Sequence, residues 1–195
     1  MILLYTWRSV TRRRNAQQRG PPRIGWLSRP HQTGTRTQEE RMATKTELIG
    51  GLELLITESK RIGTRFSEDE WARAAEEAGW TNREVLAHIA ATGGIAVQLI
   101  GGMASAPAGT DLGANLDVDA LNAQFVTARA GKSIPELVSE VDASYRGVID
   151  FLRGAPDDLL EKRATIGGYA DMTVSDIAMQ MLALHGLAHI YHAAS

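Results

Sequence analysis

The chain has 195 residues, enough for one domain with a sizeable core and too few for two of ordinary size. It contains no cysteine, which excludes disulfides, thiolate metal sites and a cysteine nucleophile and fits a reducing, cytoplasmic setting. The net charge of −2 joins two opposite parts: residues 1–41 carry nine Arg, no Lys and two Glu, for +7, and residues 42–195 carry 12 Lys and Arg against 21 Asp and Glu, for −9. An acidic folded part argues against nucleic acid as a partner, because phosphate binding needs a basic face.

Residues 1–41 read as a disordered basic extension. Pro21, Pro22 and Pro30 interrupt any helix, and the apolar residues follow neither a 3.6 nor a 2 period. No stretch there is apolar enough for a signal-peptide core or a membrane span, and Asn-Ala-Gln-Gln after Arg12-Arg13-Arg14 is unlike a twin-arginine export signal. A transit peptide and a basic arm are alternatives. An over-extended start, with Met42 as the true one, accounts best for the sharp change of composition there.

From Met42 on, each helix announces its start with a capping box, in which a Ser or Thr and an acid three residues later satisfy each other's backbone N–H groups. Thr44–Glu47 opens the first helix, with Leu48, Leu52, Leu55, Ile56 and Ile62 as its apolar stripe. Ser67–Glu70 opens a short turn carrying Trp71. Thr81–Glu84 opens a second long helix, to about Ile100. Residues 101–116, rich in Gly, Ala and Pro, read as a loop, and Asp119 to Ala130 as a short helix. Ser133–Glu136 opens a third long helix, with Leu137, Val138, Val141, Tyr145, Val148 and Leu152 inward and a stop at Gly154. Thr173–Asp176 opens the last, which runs to the C-terminus. No segment reads as a strand. The expectation is all-α: an antiparallel bundle of four long helices with long crossovers, spanning 42–195.

Four of the five histidines lie in this folded part. His185, His189 and His192 stand at i, i+4 and i+7 of the last helix, on one face. Val174, Ile177, Ala178, Met181 and Leu182 lie on or beside that face, so the histidines continue an apolar seam. His88 lies on another, with Val85, Thr92, Ile95 and Leu99. His88 is about 10 Å beyond the start of its helix, and His185 and His189 are roughly 6–12 Å before the end of theirs. If those helices run antiparallel and flush, the imidazoles reach one level. Neutral imidazole suits zinc, nickel or copper, and three protein ligands leave positions open for water or substrate. The competing reading is a core in which each His is hydrogen-bonded to backbone or side chains. His192, near the terminus, is a fourth ligand, a substrate contact or an exposed residue.

Gly79-Trp80-Thr81-Asn82-Arg83-Glu84-Val85-Leu86-Ala87-His88-Ile89 resembles the "W-S-x-R-D-V-L-A-H" segment of the DinB/YfiT-like superfamily, which includes the mycothiol-dependent maleylpyruvate isomerases. Residues 122–131 are similar to the segment that follows the first ligand helix there, and Thr173 through His189 to the final ligand helix. The resemblance implies a four-helix bundle of up-down-down-up topology, with 101–133 as the crossover between two parallel helices. It implies a zinc or nickel ion on His88, His185 and His189, and often a dimer. It also implies chemistry with a low-molecular-weight thiol such as mycothiol or bacillithiol, isomerisation, or hydrolysis. Two departures count against maleylpyruvate isomerisation: those isomerases typically carry Glu where His185 stands, and they have a further C-terminal domain.

The resulting expectation is a metal-dependent enzyme that activates a small thiol or water for attack on, or isomerisation or hydrolysis of, an electrophilic small molecule. It has no nucleic-acid or membrane partner, and a homodimer is the expected assembly. The rival is a non-catalytic bundle that binds or sequesters a small molecule in stress or toxin resistance. No general base stands out. Glu84 is needed for the helix cap, and Tyr145 and Asn122 suit core or capping roles at least as well as a pocket.

Overall fold

The capping boxes begin the helices where their sequences place them. In a computed structural model that describes residues 42–75, 79–107, 110–114, 116–166 and 169–194, α1 (Lys45–Arg65), α2 (Glu68–Ala72), α3 (Asn82–Ser105) and α5 (Ile134–Gly154) each start behind a reciprocal Ser/Thr–Glu box. The final helix starts behind the Thr173–Asp176 box. Such a cap contributes about 1 kcal/mol and sets the helix register. The shorter α4 (Val118–Thr127) is capped by Asp117, whose carboxylate accepts from the Ala120 N–H at 3.0 Å. Residues 1–41, expected to be a disordered extension, lie outside the described residues, and residues 42–195 form one compact unit.

The architecture is a four-helix bundle of α1, α3, α5 and the final helix. The stripe predicted for α1 is buried throughout; on α5 only Val138 is half-buried rather than buried. Contacts along the helices fix their directions. Lys45 at the start of α1 bonds the Ala155 carbonyl just beyond α5, and Lys60 near its end pairs with Asp142 early in α5, so α1 and α5 are antiparallel. Arg83 donates to the Lys132 carbonyl, Gly93 meets Ser144 and Tyr145, and Gly147 meets Val97, so α3 and α5 are parallel. Ser175 donates to the Ala43 carbonyl, and Gly186 meets Leu55, so the final helix runs parallel to α1. The result is up-down-down-up. The crossover through α4 is long because parallel neighbours need the chain returned to the same end.

Three expectations are corrected. First, α3 continues through Gly101 and Gly102 to Ser105, beyond Ile100; Ile100 and Met103 are buried, and core packing outweighs the glycine penalty. Second, two strands exist: β1 (Arg163–Ile166) pairs antiparallel with β2 (Tyr169–Thr173), following a 3-10 turn at Asp157–Glu161. The Leu112 N–H donates to the Thr165 carbonyl, tying the crossover to this hairpin. Third, the final helix is not uniformly α. After α6 (Val174–Asp176) comes a π-helical stretch, Ile177–Leu184, and then α7 (His185–Ala193). By length and composition α3 can cross a membrane, but 56% of its most apolar window is buried in the bundle, as befits a core helix.

Candidate metal centre

The level match anticipated from the sequence is met at one end of the bundle. His88 projects from the second turn of α3, His185 is the first residue of α7, and His189 follows one turn later. His88 and His189 are 7% and 4% exposed, and His185 is half-buried. The Nε2 atoms converge: His88 to His185 is 3.3 Å and His189 to His185 is 2.9 Å. One ligating nitrogen from each ring lies within 4.8 Å of the other two. Their planes stand nearly perpendicular, at 88°, 84° and 74°, so the lone pairs face a common point instead of the rings stacking.

The π-helical stretch enters this geometry. Buried residues of the final helix come in pairs: Ile177 and Ala178, Leu182 and Ala183, Gly186 and Leu187, then His189 and Ile190. The first step is five residues and the next is four. The His185 N–H reaches back five residues to the Gln180 carbonyl. A wide turn of this kind accommodates one extra residue and rotates everything after it, and such turns occur often at functional sites. It explains why Met181, expected inside, is only half-buried while Ala183 is buried. Gly186 completes the approach: a Cβ there would stand 2.8 Å from Leu55, so its absence lets α7 lie close to α1.

Burial keeps the trio neutral. Desolvation, reinforced by the charge of His185, lowers His88 to about 4. Desolvation and the charges of His185, His88 and His192 lower His189 to about 2. Desolvation also lowers His185. Neutral imidazoles are the form a metal requires. The Nε2 atoms of His88 and His189 both point at His185 Nε2, and His88 Nδ1 is buried with no hydrogen-bond partner among the described residues. Three inward lone pairs are poorly satisfied by one another. A divalent cation satisfies all three. Tetrahedral bonds of about 2.0–2.1 Å separate ligand nitrogens by roughly 3.3 Å, which the His88–His185 edge matches and the His185–His189 edge falls slightly inside. The residues therefore fit a divalent metal.

The other sequence candidates lie elsewhere. His192 is exposed and outside the trio. Glu84 is committed to the cap, its Oε2 accepting from the Thr81 N–H at 2.7 Å and hydroxyl at 2.9 Å. Tyr145 is fully buried against Gly93, and desolvation raises its phenol well above the ordinary value. Asn122 is half-buried on α4. Trp80, to which the sequence assigned no role beyond the resemblance, lies on His88 with ring centroids 5.3 Å apart.

Comparison with known proteins gives three findings. The model of the mycothiol maleylpyruvate isomerase N-terminal domain matches residues 52–188. No curated protein matches the chain. Solved structures share the fold at low identity. YfiT from Bacillus subtilis, described as a probable metal-dependent hydrolase with an unusual four-helix bundle topology, has TM-score 0.67 and 14% identity over 83% of this chain and 91% of its own. An uncharacterised Escherichia coli UTI89 protein has TM-score 0.61 and 14% identity, over 77% and 91%. A Streptococcus pneumoniae protein has TM-score 0.62 and 12% identity, over 79% and 90%.

Proposed function

Because the chain belongs to the family of the mycothiol maleylpyruvate isomerase N-terminal domain, within the DinB/YfiT-like superfamily, we propose that it is a metal-dependent enzyme using a small thiol or water against an electrophilic small molecule. The observation that carries this reading is the convergence of three neutral Nε2 atoms from two helices at one buried point. In this reading His88, His185 and His189 hold zinc or nickel. Such an ion, with three protein ligands and an open position, lowers the pKa of a bound thiol or water and so supplies a nucleophile near neutral pH.

The chain's residues do the positioning. The α3 and α7 scaffolds hold the imidazoles, the surrounding apolar core keeps them unprotonated, and the half-buried side of His185 leaves the trio open to approach. With no cysteine in the chain, the thiol is a co-substrate, mycothiol or a relative of it. The same reading places the enzyme in the cytoplasm, with a small-molecule substrate, no nucleic-acid or membrane partner, and a homodimeric assembly.

The test is metal content of untagged protein together with thiol-dependent turnover of a chlorobimane. About one zinc or nickel per chain, lost in His88→Ala and in His185→Ala, with turnover lost in parallel, is the expected result. Metal uptake without turnover of thiol or hydrolytic substrates favours the alternative, a binding or sequestering bundle. No uptake of either metal sinks the metal-dependent reading and leaves a metal-free binding bundle.

A further inference from the structure

Metal-ligating histidines ordinarily have their ring orientation set by a hydrogen bond from the second nitrogen to a carbonyl or carboxylate. His88 lacks one: its Nδ1 is buried with no partner among the described residues. The ring contact outside the histidine trio is instead aromatic. The Trp80 indole lies at 5.3 Å between centroids and 43° between planes. His88 is thus flanked by two other imidazoles on its Nε2 side and by an indole.

Backbone bonds tie residues 80–82 to the stretch just past the end of α2. Gly79 adopts φ +74°, a left-handed conformation that glycine takes without strain. The Ala75 N–H donates to the Trp80 carbonyl at 2.7 Å, and the Asn82 N–H to the Arg73 carbonyl at 3.0 Å, on either side of an Ala74–Thr81 bridge. Buried Asn82 ties the start of α3 to α2 through Nδ2 and the Glu70 carbonyl at 2.9 Å. Trp71, 3% exposed and packed on Phe66, anchors α2 in the core. These bonds hold the backbone at Trp80 and just after it, and Trp80 itself remains half-buried.

We propose that Trp80 is the positioning residue for His88: its indole, mounted on the α2–α3 turn, takes the place of a hydrogen bond in aiming His88 Nε2 at His185 and His189. The consequence for metal affinity rests on the function proposed above, whereas the ring orientation stands without it. An indole packed at a tilt on the imidazole restricts the ring plane through contact and leaves Nδ1 unpaired.

The test uses the full chain with Trp80→Leu, Trp80→Phe and, as a control for loss of stability alone, Leu152→Ala, a fully buried residue at the far end of α5. Cobalt(II) affinity is measured by competition with a chromophoric chelator, the metal-free melting temperature by circular dichroism, and the His88 ring-proton resonances by NMR, assigned by their loss in His88→Ala. Trp80→Leu is expected to weaken cobalt binding about 10–100-fold and Trp80→Phe to recover it to within about threefold. Leu152→Ala should lower the melting temperature and leave affinity unchanged. The His88 ring protons should lose their ring-current displacement in Trp80→Leu. Wild-type affinity in Trp80→Leu overturns the proposal. So does an affinity loss in Leu152→Ala that tracks melting temperature as it does in Trp80→Leu. If the wild type takes up no cobalt, the metal reading fails and the contacts between the imidazoles decide: nuclear Overhauser effects from the His88 ring to His185 and His189 that persist in Trp80→Leu overturn the positioning role, and their loss upholds it.

Discussion

At the scale of single residues, one cause acts on the trio in two ways. Burial strips water from His88 and His189 and leaves them neutral, and neutrality makes them ligands. His192, exposed at i+3 from His189, differs from them in environment and not in residue type. Replacing His189 with Ala is therefore expected to abolish metal uptake, and His192→Ala to leave at least about half of it, because a tetrahedral site needs all three protein ligands already converging. Equal losses in the two variants would sink that distinction. The same burial predicts acid sensitivity of the metal-free protein. His88 protonates near 6.5 when unfolded and near about 4 when folded. Between those values the unfolded chain holds a proton that the folded chain does not, so stability present above pH 6.5 falls as pH drops toward about 4. Urea midpoints should fall from about pH 7.5 to about pH 5, less steeply in His88→Gln; a midpoint independent of pH counts against buried, neutral histidines. The three residues were legible as candidates because spacing alone puts His185 and His189 on one helix face. The contact of Trp80 with His88 was not, since Trp80 lies in a turn, where no periodicity assigns a direction.

At the scale of elements, the capping boxes were readable because they are local: each bond joins residues three apart. The hairpin escaped notice because β1 and β2 are four and five residues long, too short for alternation to show; Gly167-Gly168 between Ile166 and Tyr169 is the cue that was available. The π-helical stretch escaped because an α period was applied to the whole final helix. It makes a two-sided prediction. Deleting exposed Gln180 removes the extra residue, lets Ile177–Leu184 close with ordinary α-helical bonds and leaves His185 and His189 on their bearing. Inserting an alanine at the same place turns the pair by about 100°. Metal uptake should survive the deletion and be lost on insertion, as read by metal content of the folded proteins. Loss in both would show that the wide turn does not serve as the register device.

At the scale of the molecule, the bundle depends on close approach between parallel neighbours. A Cβ on Gly93 would stand 2.5 Å from Ser144 Oγ and 2.6 Å from the Tyr145 ring, and a ring locked in the core has little room to move. Gly93→Ala is expected to destabilise the protein by ~1–3 kcal/mol despite its better helix propensity, measurable as a lower urea midpoint. Gain of stability would mean that α3 and α5 are looser than this packing implies. What the sequence by itself determined is what short-range chemistry encodes: where capped helices begin, which stripes are apolar, which histidines share a face, and that no thiol comes from the chain. Its resemblance to a known superfamily added the topology. What only the tertiary structure decided is long-range: the close approach of α3 to α5 at Gly93, the π-phased turn that brings His185 and His189 to His88, and the indole packed on that ring. Those features depend on packing between segments distant in the chain, and a local pattern of residues carries no information about which distant surface it will meet.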